Sequence, residues 1–279
     1  MTYRSIFVHV DDAEPCDRRI DYAARLARKY PAELLGGYIL PPTELSRYAR
    51  AVMAPDTVER YLQERRESRA TAEARFRAAA TEAGVTDLGW RWPKGNPLGA
   101  AVLYARYADL AVIGQPPRDE PTVEFSNDLA NAVVTSSGRP VLFVPYVGEY
   151  KTLGERVLIA WKDSRESARA VADALPLLKD AKKVFAVAIT PAGEDSDEEL
   201  TADAEVAAFL GRHQVEATVT RIVAEDIAAG ELLLSQVADF GADLIVMGAY
   251  SRPRLNQLVW GGVTRIMLAS MTAPVLMSH

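Results

Sequence analysis

The stretch Ala108-Asp109-Leu110-Ala111-Val112-Ile113-Gly114 decides the fold, because it returns as Ala242-Asp243-Leu244-Ile245-Val246-Met247-Gly248. The two copies lie 134 residues apart, and Pro140-Val141-Leu142 matches Pro274-Val275-Leu276 at the same offset. Self-similarity at a fixed offset indicates duplicated structural units. A length of 279 residues also favours two domains.

The beginnings of the two copies match less closely. Residues 6–11 resemble residues 157–163 at a larger offset, so the first copy must contain an insertion, which we expect at residues 41–56. A proline and two glycines mark residues 145–154 as the linker. The predicted domains are residues 1–147 and 154–279.

Each copy alternates apolar runs of strand length with segments of helical spacing. In the second copy, strands are predicted over residues 155–161, 184–189, 216–223, 244–247 and 274–277, and helices over 164–179, 198–212, 227–240 and 258–269. The first copy follows the same order, with a long second helix over 57–83. Such alternation requires crossover connections and a parallel sheet. We therefore predict two tandem Rossmann-like or flavodoxin-like α/β domains, each a five-stranded parallel sheet with helices on both faces.

Composition and charge restrict the classes of partner and compartment. A net charge of −6 disfavours nucleic acid, whose phosphates require a basic surface. No apolar run reaches the roughly 18–20 residues of a membrane span. The single cysteine, Cys16, cannot form an intrachain disulfide, and no secretory signal is visible. The cytoplasm is the expected location.

Residues 248–264 are a candidate phosphate-binding segment that joins a predicted strand to a predicted helix. Gly248 permits a sharp exit from the strand, and the pair Gly261-Gly262 allows backbone N–H groups to approach a ligand. A helix N-terminus favours an anion such as phosphate. Arg252 would add positive charge and Thr264 a hydroxyl group. The alternative is a strand end followed by a closely packed turn.

The same segment resembles the C-terminal signature of universal stress proteins, and the order of elements extends the resemblance to both copies, as in the tandem type. Nucleotide-binding members carry Gly, two residues, Gly, nine residues, Gly, then Ser or Thr. Here Gly248 and Gly261 keep the first and third glycines, whereas Ser251 replaces the second and Gly262 replaces the hydroxyl residue. An aspartate after the first strand also matches, at Asp163 and at Asp11.

The resemblance implies an adenine nucleotide such as ATP, with Mg²⁺, in the C-terminal copy only. Ser251 is strained if the glycine that it replaces requires a positive φ, so occupation of the site stays open. The candidate binding residues are Asp163, Ile189, Gly248, Ser251, Arg252, Gly261, Gly262, Val263 and Thr264.

The first copy is not expected to bind nucleotide through its corresponding loop. Pro117 stands at the position of Ser251 and lacks an N–H donor, and Asp128 would repel phosphate. Residues 126–128 instead suit the start of a helix, because Ser126 and Asn127 are capping residues. The loop 115–125 would cover a site or form a contact.

No catalytic constellation or metal-ligand set is recognised, so a stress-response binding or signalling module is expected rather than an enzyme. The two copies would pack as a pseudo-dimer through residues 141–144 and 275–277, and a homodimer and an unidentified protein partner are possible. One alternative is a nucleotide-free scaffold or small-ligand-binding protein; another is a hydrolase-type adenine-nucleotide enzyme. Trp161 and Trp260 flank the candidate pocket and would line an apolar site or belong to a core or an interface.

Overall fold

Ten strands and eight helices alternate through the described residues, 2–42, 54–117, 123–191, 197–224, 227–250 and 262–279, of the computed structural model. The first half contains β1 (Ser5–Val10), α1 (Cys16–Lys29), β2 (Glu33–Tyr38), α2 (Pro55–Glu82), β3 (Leu88–Arg91), α3 (Pro97–Arg106), β4 (Leu110–Gly114), α4 (Val123–Ser136) and β5 (Val141–Val144). The second half contains β6 (Arg156–Trp161), α5 (Arg165–Asp180), β7 (Lys183–Pro191), α6 (Asp197–Arg212), β8 (Ala217–Ala224), α7 (Ala229–Asp239), β9 (Leu244–Gly248), α8 (Gly262–Ser270) and β10 (Val275–Ser278).

All ten strands belong to one sheet, in the order β3-β2-β1-β4-β5-β10-β9-β6-β7-β8. The strands within each half are parallel, and the halves join where β5 and β10 pair antiparallel, with Leu142 opposite Leu276. This arrangement confirms the five strands in each half and the pseudo-dimer through the last strands.

Helices cover both faces of the sheet, which explains the continuous apolar strands. Side chains alternate between the faces: Ile6 and Val8 belong to the core that α1, α2, α5 and α6 cover, whereas Phe7 belongs to the core that α3, α4, α7 and α8 cover. Each of these two cores contains residues from both halves. The halves therefore share their cores.

The aspartate of the repeated motif explains why the motif is repeated. The Asp109 carboxylate accepts hydrogen bonds from the backbone N–H groups of Arg4 and Ser5, at 2.8 and 3.1 Å. The Asp243 carboxylate does the same for Glu155 and Arg156, at 3.0 and 2.7 Å. In each half this carboxylate fastens the start of the first strand to the start of the fourth.

Two boundaries depart from the sequence-based expectations. The insertion is shared between the β2–α2 connection and α2 itself, which has 28 residues against 16 in α6, and residues 43–53 lie outside the described residues. The predicted helix start at residues 126–128 is wrong, because α4 begins at Val123. Glu124 supplies the acidic side chain of the first turn, so Asp128 lies further along the helix.

Polar contacts between the halves reinforce the shared core. On one face the Tyr3 hydroxyl donates to the Asp173 carbonyl at 2.8 Å, and the Tyr30 hydroxyl donates to the Pro176 carbonyl at 3.1 Å. On the other face Gln115 Nε2 donates to the Leu268 carbonyl at 2.8 Å. These contacts hold α1 against α5 and the end of β4 against α8.

Candidate functional site

The candidate ligand edge of each half lies where its strand order reverses. In the first half β1 lies between β2 and β4, and in the second half β6 lies between β7 and β9. Ligands of such sheets bind beyond the carboxyl ends of the strands at this point. The equivalent glycines Gly114 and Gly248 end β4 and β9 there.

In the first half, the buried guanidinium of Arg19 occupies this edge. Arg19 Nε donates to the His9 carbonyl at 2.6 Å, and Arg19 Nη2 lies 2.9 Å from Asp11 Oδ2. A Cβ on Gly114 would lie 2.2 Å from Arg19 Nη1, so the glycine leaves the space that the guanidinium fills. Sequence analysis missed Arg19, which sits among ordinary helix-surface residues in the sequence.

The charge state of this cluster follows from burial and from the cation. Burial, then the nearby Arg19 charge, lowers the pKa of His9 to about 4, so its imidazole is neutral at pH 7. Its Nε2 lies 2.8 Å from the Ile39 carbonyl and donates to it, because a carbonyl only accepts. Burial opposes ionisation of Asp11, but Arg19 and His9 hold its pKa below the usual value.

A cavity of about 330 Å³ opens above this cluster. Gln115 and Ser126 line it together with His9, Asp11 and Arg19, so its wall contains a buried ion pair and neutral polar groups. Pro117, from the loop expected to cover a site, also lines it. Residues 118–122 of that loop lie outside the described residues.

In the first half, the aspartate that corresponds to Asp163 forms hydrogen bonds with neighbouring side chains. The strand register makes Val157 equivalent to Ile6, so Asp163 corresponds to Asp12, and the match to Asp11 is wrong. The Tyr38 hydroxyl lies 2.9 Å from the Asp12 carboxylate, and Ser68 Oγ donates to it at 2.8 Å.

In the second half, the edge carries a buried carboxylate instead of a buried cation. A Cβ on Gly248 would lie 2.6 Å from Ser167 N and 2.9 Å from Glu166 Cβ, so the first turn of α5 rests directly on this glycine. Glu166 is 5% exposed and pairs with Arg165. Burial opposes its ionisation, yet the Arg165 hydrogen bond holds its pKa below the usual value. The guanidinium of Arg19 thus packs on Gly114, whereas the first turn of α5, which carries Glu166, packs on the equivalent Gly248.

The predicted binding residues are only partly brought together. Asp163 is exposed in the β6–α5 connection, whereas Ile189 in β7 packs against the core under α7 and α8. Gly262 begins α8, Val263 follows it half-buried, and Thr264 is buried in the first turn. Ser251, Arg252 and Gly261 lie outside the described residues, as does Trp260.

Two further searches cover only the parts of the chain that the structure describes. Within them, no helix combines the length and apolar character that crossing a membrane requires. They also contain no group of three or more His, Cys, Asp or Glu side chains placed to hold a metal ion.

A duplicated 3-2-1-4-5 strand order, with a ligand edge at each reversal, defines a tandem Rossmann-like α/β protein. The sequence profile of the universal stress protein family matches residues 2–145 and again 154–279, so the chain belongs to that family. No curated protein matches the sequence.

Two solved structures that match nearly the whole chain share its fold. A universal stress protein from Archaeoglobus fulgidus is 15% identical, with 98% of this chain and 95% of that chain covered and a TM-score of 0.73. A protein of unknown function from Pseudomonas aeruginosa is also 15% identical, over 99% and 92%, with a TM-score of 0.58. A universal stress protein in complex with cAMP is 22% identical over 53% of this chain and 100% of that chain, with a TM-score of 0.38.

Proposed function

We propose that this protein is a binding or signalling module of the stress response, not an enzyme, and that its second half takes an adenine nucleotide, ATP with Mg²⁺. One observation carries the proposal: α8 begins at Gly262, after the segment that follows Gly248, with no acidic side chain in its first turn. Free N–H groups at a helix start favour phosphate. In the first half, the equivalent α4 carries Glu124 there.

Calorimetric titration with ATP, ADP and AMP, with and without Mg²⁺, tests the proposal. We expect one site per chain, lost in Gly261→Asp because the new carboxylate repels phosphate. The matched first-half variant Asn127→Asp should bind as the unchanged protein does. Loss of binding in Asn127→Asp instead would place the nucleotide in the wrong half for this proposal.

Gly262 offers a gain-of-function test of the same site. Among the described atoms outside its own chain neighbours, none lies within 4 Å of a Cβ placed on Gly262, so a serine fits. Gly262→Ser should strengthen ATP binding by roughly fivefold, the effect of one added hydrogen bond, in the same titration. Unchanged affinity in Gly262→Ser would count against phosphate contact at this residue.

A nucleotide-free role as a scaffold or partner-binding protein is the second candidate, and the buried Glu166 in the turn of α5 that rests on Gly248 favours it. A negative charge in this turn disfavours a phosphate nearby. No heat at millimolar nucleotide would favour this candidate, and phosphate release from ATP at enzymatic rates would favour the hydrolase alternative.

We further propose a cytoplasmic location, consistent with the single buried thiol of Cys16, and assembly as a homodimer or with a protein partner.

A further inference from the structure

A second cavity, of about 440 Å³, lies in the second half between α5 and α6, away from Gly248 and α8. Its walls are mainly apolar: Trp161, Ala168, Val171, Ala202, Val206 and Phe209 line it. The exposed side chains of Asp163, Glu205 and Arg212 also border it, so charges of both signs are present. Cavities of this size and character hold small molecules in other proteins.

In the first half, aromatic rings fill the space between the sheet and the second helix. There Tyr38, Phe76 and Trp90 pack together between the sheet and α2, with ring centroids 6.2 Å apart for Tyr38 and Trp90 and 5.4 Å apart for Phe76 and Trp90. Phe76 is completely buried. These three rings belong to the core under α1 and α2.

Smaller residues replace all three rings in the second half. Strand register makes Ala188 equivalent to Tyr38 and Val219 equivalent to Trp90. Val206 takes the place of Phe76, six residues before the end of its helix, and it is the one of the three that lines the cavity. Protein interiors are close-packed, so the change from a phenylalanine to a valine at this wall leaves space for a ligand.

Two larger side chains oppose this loss of volume. Phe209 stands where the first half has Ala79, three residues before the end of its helix, and Trp161 stands where the first half has Val10. Its ring lines the cavity, and its indole N–H is buried without a hydrogen-bond partner. Burying a donor unpaired is unfavourable, and an acceptor atom on a ligand would remove that cost.

We propose that this α5–α6 cavity binds a flat, uncharged and largely apolar small molecule that offers one hydrogen-bond acceptor to Trp161. The aliphatic walls favour an apolar body, the indole ring favours a flat one, and the indole N–H favours a carbonyl or ether oxygen. Asp163 and Glu205 outnumber Arg212 at the border, and this net negative charge disfavours a phosphate group, so this ligand differs in class from the nucleotide proposed above.

The probe for the test is Prodan, an uncharged naphthalene ketone whose fluorescence rises in apolar surroundings. The full-length protein should give saturable enhancement at one site per chain. Ala202→Phe, which refills the cavity, should weaken binding at least tenfold. Ala208→Phe, the same change on the exposed side of α6, should bind as the unchanged protein does.

Trp161→Phe provides a second variant that keeps an aromatic ring but removes the donor, and it should weaken Prodan binding by roughly fivefold. Circular dichroism of each variant checks that it folds. Absence of saturable binding, or equal binding by Ala202→Phe and Ala208→Phe, would overturn the proposal. One-for-one displacement of Prodan by ATP with Mg²⁺ would also overturn it, because the cavity would then belong to the nucleotide site.

Discussion

At the residue scale, Glu166 places a buried negative charge in the first turn of α5, which rests on Gly248. If the second half binds ATP as proposed, Glu166→Gln should strengthen that binding by about 1 kcal/mol, close to fivefold, through removal of one negative charge. Calorimetric titration measures the change. The first-half variant Glu124→Gln, at an exposed position, should leave the affinity unchanged. Equal affinities for Glu166→Gln and the unchanged protein would show that phosphate does not approach this edge.

His9 gives the protein a predictable sensitivity to acid. Its pKa is lowered from 6.5 to about 4 by burial and by Arg19, so the unfolded chain takes up this proton at a higher pH than the folded protein. The free energy of unfolding should therefore fall between pH 6.5 and pH 4, by up to about 3 kcal/mol from this residue.

Urea denaturation at several pH values measures this effect of His9. A His9→Gln variant, which keeps a donor for the Ile39 carbonyl, should lose that part of the pH dependence. If the free energy of unfolding of His9→Gln falls as steeply between pH 6.5 and pH 4 as that of the unchanged protein, another group accounts for the pH dependence.

The buried charges of Arg19 and Glu166 were beyond prediction from the sequence. The fourth and fifth strands of the first half match those of the second half at one constant offset. The sequence therefore located Gly114 and Gly248 correctly. With the first strands in register, Arg19 aligns with Ala170 and Glu166 with Pro15, so the sequence gives no sign that both residues pack beside equivalent glycines. Only the packing shows that the Arg19 guanidinium fills the space at Gly114 and that the backbone of Glu166 rests on Gly248.

At the scale of elements, Gly248 controls the contact between β9 and α5. A Cβ at this position would lie 2.6 Å from Ser167 N and 2.7 Å from the Glu166 carbonyl carbon, which are backbone atoms that cannot rotate away. Gly248→Ala should lower the free energy of unfolding by about 1–3 kcal/mol. Gly211→Ala, on the exposed surface of α6, meets no described atom within 4 Å and should raise it by about 0.5–1 kcal/mol. Urea denaturation of both variants would contradict this account if they changed stability equally.

Most elements could be predicted because each has a clear period and a clear end. Gly241, at a φ of +56°, ends α7 as its sequence position suggests, and Ser164 caps α5 through a hydrogen bond from Ser167 N. The start of α4 was misplaced because Ser126 and Asn127 are capping residues by type, although they lie inside the helix here. The cavity between α5 and α6 was not predicted, because its cause is a difference in volume between equivalent positions in the two halves.

At the scale of the whole molecule, the two domains form one continuous sheet with two cores that both halves share. The antiparallel pair β5–β10 continues the ladder across the boundary, and both cores extend past it. Leu142 and Leu276 face each other at this junction, and both belong to the core under α1 and α5. Disturbing this junction should therefore destabilise both halves at once.

Leu276→Ala tests whether the halves fold as a unit. Leu276 is completely buried, and its truncation should cost about 2–4 kcal/mol by leaving a cavity beside Leu142. Hydrogen exchange at increasing denaturant should show amides of β1 and of β6 losing protection at the same, lowered concentration. The matched change Leu103→Ala, at an exposed position of α3, should leave the protection of β1 and β6 unaffected. If Leu276→Ala lowers protection in β6 but not in β1, the two halves unfold independently despite their common sheet.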